Sequence, residues 1–219
     1  VPALYAVLIG LGLLDFDLLH RLRRLGGLPG HPDVSVPFIE SNTGSLGMGV
    51  SKATGMARAN RLLGRDARIY VLTGDGELQE GQFWESLPAA AHAGLGEVTV
   101  IVDHNKIQSD TWVAEVNDLG DLEAKLRAFG WHVERCDGHD IPALADTLAR
   151  ASTVRHQPSI VVADTVKGKG VSFMEAPAMD PADRLYKFHS GAPAADLYGK
   201  ALGELIATAN SLLAALGGA

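Results

Sequence analysis

The sequence predicts an α/β fold built on a doubly wound, mostly parallel sheet flanked by helices. Short runs rich in β-branched residues, which are typical of buried strands, alternate along the chain with longer helical stretches. Strands that alternate with helices favour a parallel sheet covered on both faces. The 219 residues, of which 47% are hydrophobic and 21% charged, are enough to bury one sizeable core.

The expected elements alternate through the middle of the chain. Strands are predicted at 68–73, 98–104, 131–136 and 159–166. Helices are predicted at 50–63, 80–93, 119–129 and 141–154. In the third helix the apolar residues recur at three- and four-residue spacing, which predicts one inward face: Leu119, Leu122, Leu126 and Phe129. Ligands bind beyond the carboxyl ends of such strands, so residues just after Thr73 and His104 are the first candidates for a functional site.

The two ends of the chain carry further predictions. Residues 1–14 are uncharged, but they are shorter than a bilayer requires and lack the basic start of a signal peptide, so we expect a buried helix. Because the sequence starts with Val1 and not Met, we expect the full protein to contain further residues. Residues 185–193 are predicted to be irregular, and 195–216 to form a final helix. Its apolar residues would dock on the same domain or, less favoured, on a partner: Leu197, Ala201, Leu205, Leu212 and Leu216.

Charge and cysteine content exclude some classes of function. The formal net charge is −7 and the pI about 5.6, which argues against a nucleic-acid-binding surface. Cys136 is the single cysteine, so an internal disulfide and a multi-cysteine metal site are both excluded. A single cysteine fits a reducing cytoplasm, and we expect a cytoplasmic protein with no membrane segment.

Two polar segments follow neighbouring predicted strands. Residues 74–81 have the sequence Gly-Asp-Gly-Glu-Leu-Gln-Glu-Gly, and residues 104–107 have His-Asn-Lys-Ile. The carboxylate of Asp75 and the amide oxygen of Asn105 are suited to Mg²⁺, which prefers oxygen ligands and often completes its shell with phosphate. Gly76 would let a diphosphate approach the backbone, and the helix expected near Glu80 would add free amides. A Gly-Asp-Gly alone is most often a turn, but its combination with Asn105 is more specific.

These segments resemble the thiamine diphosphate fingerprint, in which Gly-Asp-Gly is followed some thirty residues later by Asn. The extension Leu78-Gln79-Glu80-Gly81 is similar to that of transketolases in particular. Other segments resemble transketolase landmarks in their expected order, and they extend the resemblance over nearly the whole chain: 28–32, 43–47, 129–131, 137–140 and 165–170.

The resemblance implies a thiamin diphosphate-binding fold in which residues 1–219 form a single pyrophosphate-binding domain, with 195–219 as its C-terminal helix. It implies thiamine diphosphate and Mg²⁺ as cofactors, and the transfer of a two-carbon ketol unit between sugars or sugar phosphates. By resemblance, the metal ligands are side-chain oxygens of Asp75 and Asn105 and the backbone carbonyl of Ile107.

Further site residues follow from the same resemblance. Contacts to the cofactor are implied for Gly44, Ser45, Leu46, Gly74, Asp75, Gly76, Glu77, Asn105, Ile107, Lys167 and His189. Lys167 would offset the charge of the diphosphate, and a solvated loop charge is the open alternative. His31 resembles the histidine that faces the sugar hydroxyls. Glu80 resembles a glutamate of a carboxylate network across the subunit interface.

A partner is expected because the family's activating glutamate belongs to a pyrimidine-binding domain, which nothing in this chain resembles. The expected partner is a C-terminal pyrimidine-binding subunit, in a dimer of this chain or a four-chain complex. Two features depart from the family. A Ser-Lys-Gly-His-like stretch expected before Val1 is absent, and in Phe188-His189-Ser190-Gly191 the histidine is displaced by one position. We still favour His189 as a contact to diphosphate and substrate, since loops absorb such shifts.

Two alternatives remain open. Another thiamine-dependent reaction, such as 1-deoxyxylulose-phosphate synthesis or 2-oxo acid decarboxylation, shares the fingerprint but fits the Leu-Gln-Glu-Gly extension less well. A noncatalytic regulatory homologue would explain the two departures, but it does not require the paired oxygen donors. Among the other histidines, His104 should turn away from Asn105 because strand side chains alternate, and His139 should be structural.

Overall fold

The computed structural model describes residues 2–175 and 185–217. The chain divides into two compact units, Val1–Leu46 and Gly47–Ala219. The single domain expected from the sequence stays a prediction, and the two units are described separately.

A four-stranded parallel sheet organises the larger unit. Its strands are β1 (Ile69–Gly74), β2 (Val98–His104), β5 (His132–Asp137) and β6 (Ser159–Asp164), in the spatial order β1-β2-β6-β5. A short antiparallel hairpin of β3 (Ile107–Gln108) and β4 (Thr111–Trp112) follows β2 directly. The four predicted strands are confirmed with shifts of one or two residues at their ends, and the hairpin was not predicted.

Helices cover both faces of the sheet, which confirms the doubly wound α/β prediction. The helices of the larger unit are α2 (Gly49–Leu62), α3 (Gly81–His92), α4 (Val113–Asn117), α5 (Leu122–Ala128), α6 (Ile141–Thr153) and α7 (Ala195–Gly217). The main core joins α2, α3 and α5 to one face of the sheet, with Phe83, Leu126 and Val102 almost fully buried. On the other face α6 lies against β5 and β6, where Ser159 Oγ donates to the carbonyl of Ala151. Over β1 that second face is open, with 74% of Leu72 exposed.

Capping side chains explain where two helices begin. Helix α5 starts at Leu122, three residues later than predicted, because the Asp121 carboxylate accepts from the backbone N–H of Ala124. Leu122 and Leu126 are buried on the predicted inward face, and Leu119 and Phe129 pack against the same core. Asp140 caps α6 in the same way through the N–H of Ala143.

The last helix is confirmed, but only its first turns pack on the larger unit. Ala201 is buried, Lys200 Nζ lies 5.0 Å from the ring centre of Phe173, and Glu204 accepts from Ser172. Leu205 is 47% exposed, although its Cδ2 would lie 3.4 Å from a Cβ on Gly170, and Leu212 is 62% exposed, so packing on the same domain is not found for Leu212 and the alternative of docking on a partner stays a prediction. The side chain of Leu216 and residues 218–219 lie outside the described residues.

The smaller unit contains α1 (Pro2–Gly10), a 3₁₀ turn at Phe16–His20 and irregular segments. Its core contains Tyr5, Leu8, Leu14, Leu28 and Val36, among others. The prediction of one buried helix over 1–14 was wrong in two respects: α1 ends at Gly10, and several apolar residues stay exposed. Gly12 has φ +70°, a conformation that a continuing right-handed helix does not allow.

Among the helices in the described ranges, none combines the length and apolar character needed to cross a membrane.

Candidate functional site

Asp75 follows β1 directly and joins the ends of two neighbouring strands. Its Oδ1 accepts from the backbone N–H of Gly76 at 2.8 Å, and its Oδ2 accepts from the N–H of Lys106, beyond β2. Its own N–H donates to the carbonyl of Asp103 at 3.2 Å. The residue is only 2% exposed, so the loop after β1 and the loop after β2 are held together by one buried carboxylate.

The electrostatics of Asp75 are unusual for a structural residue. Burial raises the pKa of the Asp75 carboxyl, and the two backbone N–H groups only partly offset that effect. Within residues 2–175 and 185–217, no Lys, Arg or His forms an ion pair with it. A buried carboxylate that keeps free lone pairs and has no cation is costly, and a bound cation would relieve that cost.

Asn105 and Ile107, the other two predicted metal ligands, lie beside Lys106 at the end of β2. Asn105 is 9% exposed, and its Oδ1 accepts from the N–H of Ile107 at 3.0 Å, which leaves one lone pair of that oxygen free. Ile107 is 2% exposed at the start of the hairpin. The structure therefore brings the three predicted residues to neighbouring strand ends. In the described part of the chain no group of three His, Cys, Asp or Glu residues suits a metal, so a site here must use amide and backbone oxygens.

The turn after Asp75 is a short helix that the sequence did not predict. Residues Gly76–Gln79 form a 3₁₀ helix that is capped by Asp75, and α3 begins at Gly81, one residue after its predicted start. A Cβ on Gly76 would lie 2.6 Å from the Cβ of Gln108, so this glycine lets the hairpin close over the turn. Glu77 Oε1 accepts from the N–H of Gly47 at 2.9 Å. This contact makes Glu77 an anchor between two loops, and its predicted contact to the cofactor stays a prediction.

Lys167 and His189 form a second group near the same strand ends. Lys167 Nζ lies 3.2 Å from His189 Nδ1 and 5.4 Å from the centre of the Tyr186 ring. Burial lowers the pKa of the Lys167 ammonium, while the carboxylates of Asp103 and Asp75 raise it. Partial burial and the nearby ammonium lower the pKa of His189. Lys167 is thus half-buried among named partners, which argues against a freely solvated loop charge.

Tyr186 holds this second group in place and was missed at the sequence level. Its N–H donates to the carbonyl of Asp110 at 2.6 Å and its hydroxyl donates to the carbonyl of Met174 at 2.8 Å. Its ring packs with Ile107 and Phe188. No periodic pattern marks an aromatic residue in an irregular segment, so the sequence offered no signal for this role.

A charged network beside Asp75 was also missed. His104 Nδ1 lies 2.9 Å from Asp164 Oδ1, and Arg135 donates to both oxygens of Asp164 at 2.6 and 2.9 Å. Mainly the Arg135 guanidinium holds the pKa of the Asp164 carboxyl well below its usual range. His104 also lines a cleft of about 420 Å³ together with Asp75 and Lys106. From the sequence, His104 was expected to turn away from Asn105, so it was not predicted to belong to the site. His139 is structural as predicted, since its Nε2 accepts from the N–H of Val166 at 2.8 Å.

In the smaller unit the structure brings His31 and Gly44 together. Gly44 has φ +117°, and a Cβ there would lie 3.1 Å from the His31 ring. Thr43 donates to the carbonyl of Pro32 through both its N–H and its hydroxyl, at 2.9 Å each, which closes this loop. The remaining predicted residues of the loop, Ser45 and Leu46, are exposed.

Glu80 belongs to the larger unit, where it precedes α3. It is exposed, and its carboxylate forms no hydrogen bond or ion pair within the residues that the structure describes. An exposed carboxylate of this kind is free to contact another chain, but its predicted role at an interface stays a prediction.

Comparison with known families gives one extensive match. The family described as "Transketolase, thiamine diphosphate binding domain" matches residues 3–180. The chain is 42% identical over 176 residues to the 6-deoxy-6-sulfo-D-fructose transketolase subunit SqwG of Clostridium sp. (strain MSTE9), covering 80% of this chain and 64% of that protein. It is 35% identical over 206 residues to an apulose-4-phosphate transketolase subunit from Phocaeicola vulgatus, covering 94% of this chain and 70% of that protein.

Solved structures give the same result. Transketolase from Leishmania mexicana superposes with a TM-score of 0.69 at 26% identity, over 92% of this chain and 34% of that one. Transketolase from Campylobacter jejuni superposes with a TM-score of 0.68 at 27% identity, over 88% of this chain and 34% of that one. The chain therefore spans about one third of the solved enzymes, and 64% of the first curated relative above.

Proposed function

The chain belongs to the transketolase family, and from this premise we propose that it is the N-terminal, pyrophosphate-binding subunit of an enzyme that transfers a two-carbon ketol unit between sugars. The observation that carries this proposal is Asp75, a 2% exposed carboxylate at a strand end with no cationic side chain paired to it among the described residues. Such a carboxylate has a physical reason to bind a metal cation together with an anionic cofactor.

We propose that Mg²⁺ is held by side-chain oxygens of Asp75 and Asn105 and by the carbonyl of Ile107. Their chemistry fits, because Mg²⁺ takes hard oxygen ligands and shares its shell with phosphate oxygens. The raised pKa of Asp75 supports a cation at this position, since a divalent charge would offset the burial of the carboxylate.

The diphosphate of thiamine diphosphate would lie against the same strand ends. Lys167, with its half-buried ammonium, would hold the anionic oxygens as a point charge, and His189 would donate or accept beside it. When bound, the cofactor supplies the carbon nucleophile and the electron sink that carbon–carbon bond cleavage needs. The further contacts proposed here are Gly44, Ser45, Leu46, Gly74, Gly76 and Glu77.

The substrates proposed are sugars or sugar phosphates. The relative from Clostridium is named for a sulfonated sugar, and the relative from Phocaeicola vulgatus is named for a phosphorylated sugar. His31 would hydrogen-bond to sugar hydroxyls, which suits its exposed position in a closed turn next to Gly44.

A partner chain is part of the proposal, because relatives that match this chain are named as subunits. We propose a pyrimidine-binding C-terminal subunit, with exposed Glu80 contributing to the interface, in a dimer of this chain or a four-chain complex. A cytoplasmic location fits its single cysteine.

The test is a reconstituted assay. The chain is mixed with its candidate partner, thiamine diphosphate and Mg²⁺, and ketol transfer from D-xylulose 5-phosphate to D-ribose 5-phosphate is followed. We expect turnover that requires both chains and is lost with EDTA. Pyruvate serves as the control substrate, because CO₂ release from pyruvate without ketol transfer would favour a decarboxylating or synthase-type reaction. Absence of any turnover in the complete mixture would contradict the proposal.

A further inference from the structure

One carboxylate of helix α7 holds a loop of the larger unit. Glu204 accepts two hydrogen bonds from Ser172, one from its backbone N–H at 2.6 Å and one from its hydroxyl at 2.8 Å. These two bonds, together with the nearby ammonium of Lys200, lower the pKa of the Glu204 carboxyl. The carboxylate therefore stays ionised at neutral pH and keeps both acceptor oxygens available to Ser172.

Other residues in the first turns of α7 lie against the same loop. The ammonium of Lys200 is 5.0 Å from the ring centre of Phe173, which directly follows Ser172. A Cβ on Gly170 would lie 3.4 Å from Cδ2 of Leu205, so the helix passes close to the loop backbone. The contact through Glu204 is thus part of a small docking surface between α7 and this loop.

The loop that α7 holds is the loop that carries Lys167. A Cβ on Gly168 would clash with the carbonyl oxygen of Met174, so the backbone beside Lys167 packs directly on the far end of the loop. Between these points the N–H of Val171 donates to Gly168 at 3.2 Å, and the N–H of Met174 donates to Val171 at 2.8 Å. Because residues 167–174 are folded this tightly, a shift at Ser172 is passed to the backbone next to Lys167.

Aromatic rings continue this packing to His189. The ring centres of Phe173 and Phe188 are 5.4 Å apart, and those of Phe188 and Tyr186 are 6.0 Å apart, both in edge-to-face geometry. Phe188 directly precedes His189 in the chain. The ammonium of Lys167 lies 5.4 Å from the centre of the Tyr186 ring. The loop held by α7 therefore packs on the rings that support both Lys167 and His189.

We propose that Glu204 is a positioning residue, which by binding Ser172 fixes the arrangement of Lys167 and His189 and so raises the affinity of the site for a diphosphate. Glu204 acts through the loop and does not touch the ligand. The choice of a diphosphate rests on the proposed function, whereas the arrangement of Lys167 and His189 can be measured without any ligand. Since Glu204 is partly exposed, its loss should alter the loop without unfolding the protein.

The pKa of His189 reports this arrangement in the full chain without cofactors. Partial burial and the nearby ammonium of Lys167 lower it, and the carboxylate of Asp110 acts in the opposite direction. Glu204→Ala should raise the pKa of His189, because a released loop lets water reach the imidazole and moves the ammonium away. Glu204→Gln keeps one accepting oxygen and should restore part of the wild-type value. NMR titration of the histidine ring protons measures both changes.

Thiamine diphosphate binding in the presence of Mg²⁺, measured by calorimetry on the full chain, is the second readout. Glu204→Ala should weaken it by roughly fivefold, less than the loss of the Lys167 charge itself. Ser172→Ala keeps the backbone N–H and loses the hydroxyl, so it should have a smaller effect. The double variant should bind no more weakly than Glu204→Ala alone, because both substitutions act through one contact.

Ala207→Gly is the matched control, since it weakens α7 at an exposed position without removing a contact to Ser172. It should leave both the pKa of His189 and the Kd unchanged, and equal effects in Ala207→Gly and Glu204→Ala would overturn the assignment. An unchanged pKa of His189 or an unchanged Kd in Glu204→Ala would also overturn it. If no form of the chain binds thiamine diphosphate while the pKa of His189 still depends on Glu204, the proposed function fails and the positioning of His189 by Glu204 stands.

Discussion

Asp75 and Asp164 lie at the same edge of one parallel sheet, yet their surroundings are opposite. Asp164 ends β6, accepts from Nε and Nη2 of Arg135, lies beside His104, and has a pKa well below its usual range. Asp75 follows β1, is 2% exposed, accepts only backbone N–H groups, and has a pKa raised by burial. Two carboxylates at one edge of the sheet therefore differ in whether a protein cation is paired with them, and a metal ion is proposed only at Asp75, which has no such partner among the described residues.

The difference also separates two roles at one edge of the sheet. Asp164 is already neutralised, so it stabilises the ends of β2, β5 and β6 and orients His104. Asp75 accepts hydrogen bonds from backbone N–H groups, and the nearby charges of His104 and Lys167 act on it without forming an ion pair, so we propose that a cation from solution completes its neutralisation. Substitutions of these carboxylates and of the residues around them test this contrast.

Asp75→Asn should weaken binding of thiamine diphosphate in the presence of Mg²⁺ by roughly 100-fold or more, because the charge of the proposed metal ligand is lost. Isothermal titration calorimetry measures this effect. Without cofactors the variant should melt at the same temperature as the wild type or higher, since it removes a buried charge with no partner. The matched control is Asp164→Asn, in which affinity should change no more than about threefold. An equal loss in both variants would contradict the distinction between the two carboxylates.

Lys167→Met should weaken thiamine diphosphate binding by about tenfold, which corresponds to one charge-assisted contact to the diphosphate. The loss should shrink as salt is added, because the interaction is partly electrostatic. Lys169→Met is the control, since Lys169 is exposed and its Nζ lies 3.7 Å from Glu175. If Lys167→Met and Lys169→Met bind thiamine diphosphate equally tightly, the ammonium of Lys167 does not contact the diphosphate.

Arg135→Met should destabilise the chain by about 1 kcal/mol at neutral pH, the scale of a partly exposed ion pair. Because the pKa of Asp164 is lowered by folding, its contribution is present above the ordinary carboxyl pKa and is lost as pH falls through the lowered value. The difference in free energy of unfolding between the wild type and Arg135→Met should therefore shrink below about pH 4. Urea unfolding at neutral and acidic pH measures this difference. A difference that grows in acid would contradict a stabilising ion pair between Arg135 and Asp164.

The smallest expected effect is on His189. In Lys167→Met the pKa of His189 should rise, because the nearby ammonium that now disfavours the imidazolium is removed. NMR titration of the histidine ring protons measures the shift. A His189 that titrates identically in both proteins would show that the 3.2 Å contact to Lys167 is not kept in solution.

The sequence alone predicted the sheet and most of its helices. Runs of Val and Ile mark β2 and β6, because a strand buried on both faces must be apolar throughout. Asp75 and Asn105 could be placed at one edge of the sheet because each directly follows a predicted strand, and parallel strands end at one edge; their role as metal ligands stays a prediction. The end of α1, the start of α5 and the exposure of Leu212 could not be assigned, because capping and packing depend on residues brought close only by folding.

Which charged side chains are already paired is visible only in the folded structure. Arg135, Asp164 and His104 come from three separate strands, and no spacing in the sequence predicts that they meet. Tyr186 supports Lys167 from a segment without any periodic pattern, and Glu204 meets Ser172 because α7 folds back onto the loop that carries it. Local patterns record which atoms are available, whereas electrostatic energy depends on distances in space. The absence of an ion pair at Asp75 among the described residues, on which the proposed metal site rests, is therefore recognised only once its neighbours in the fold are known.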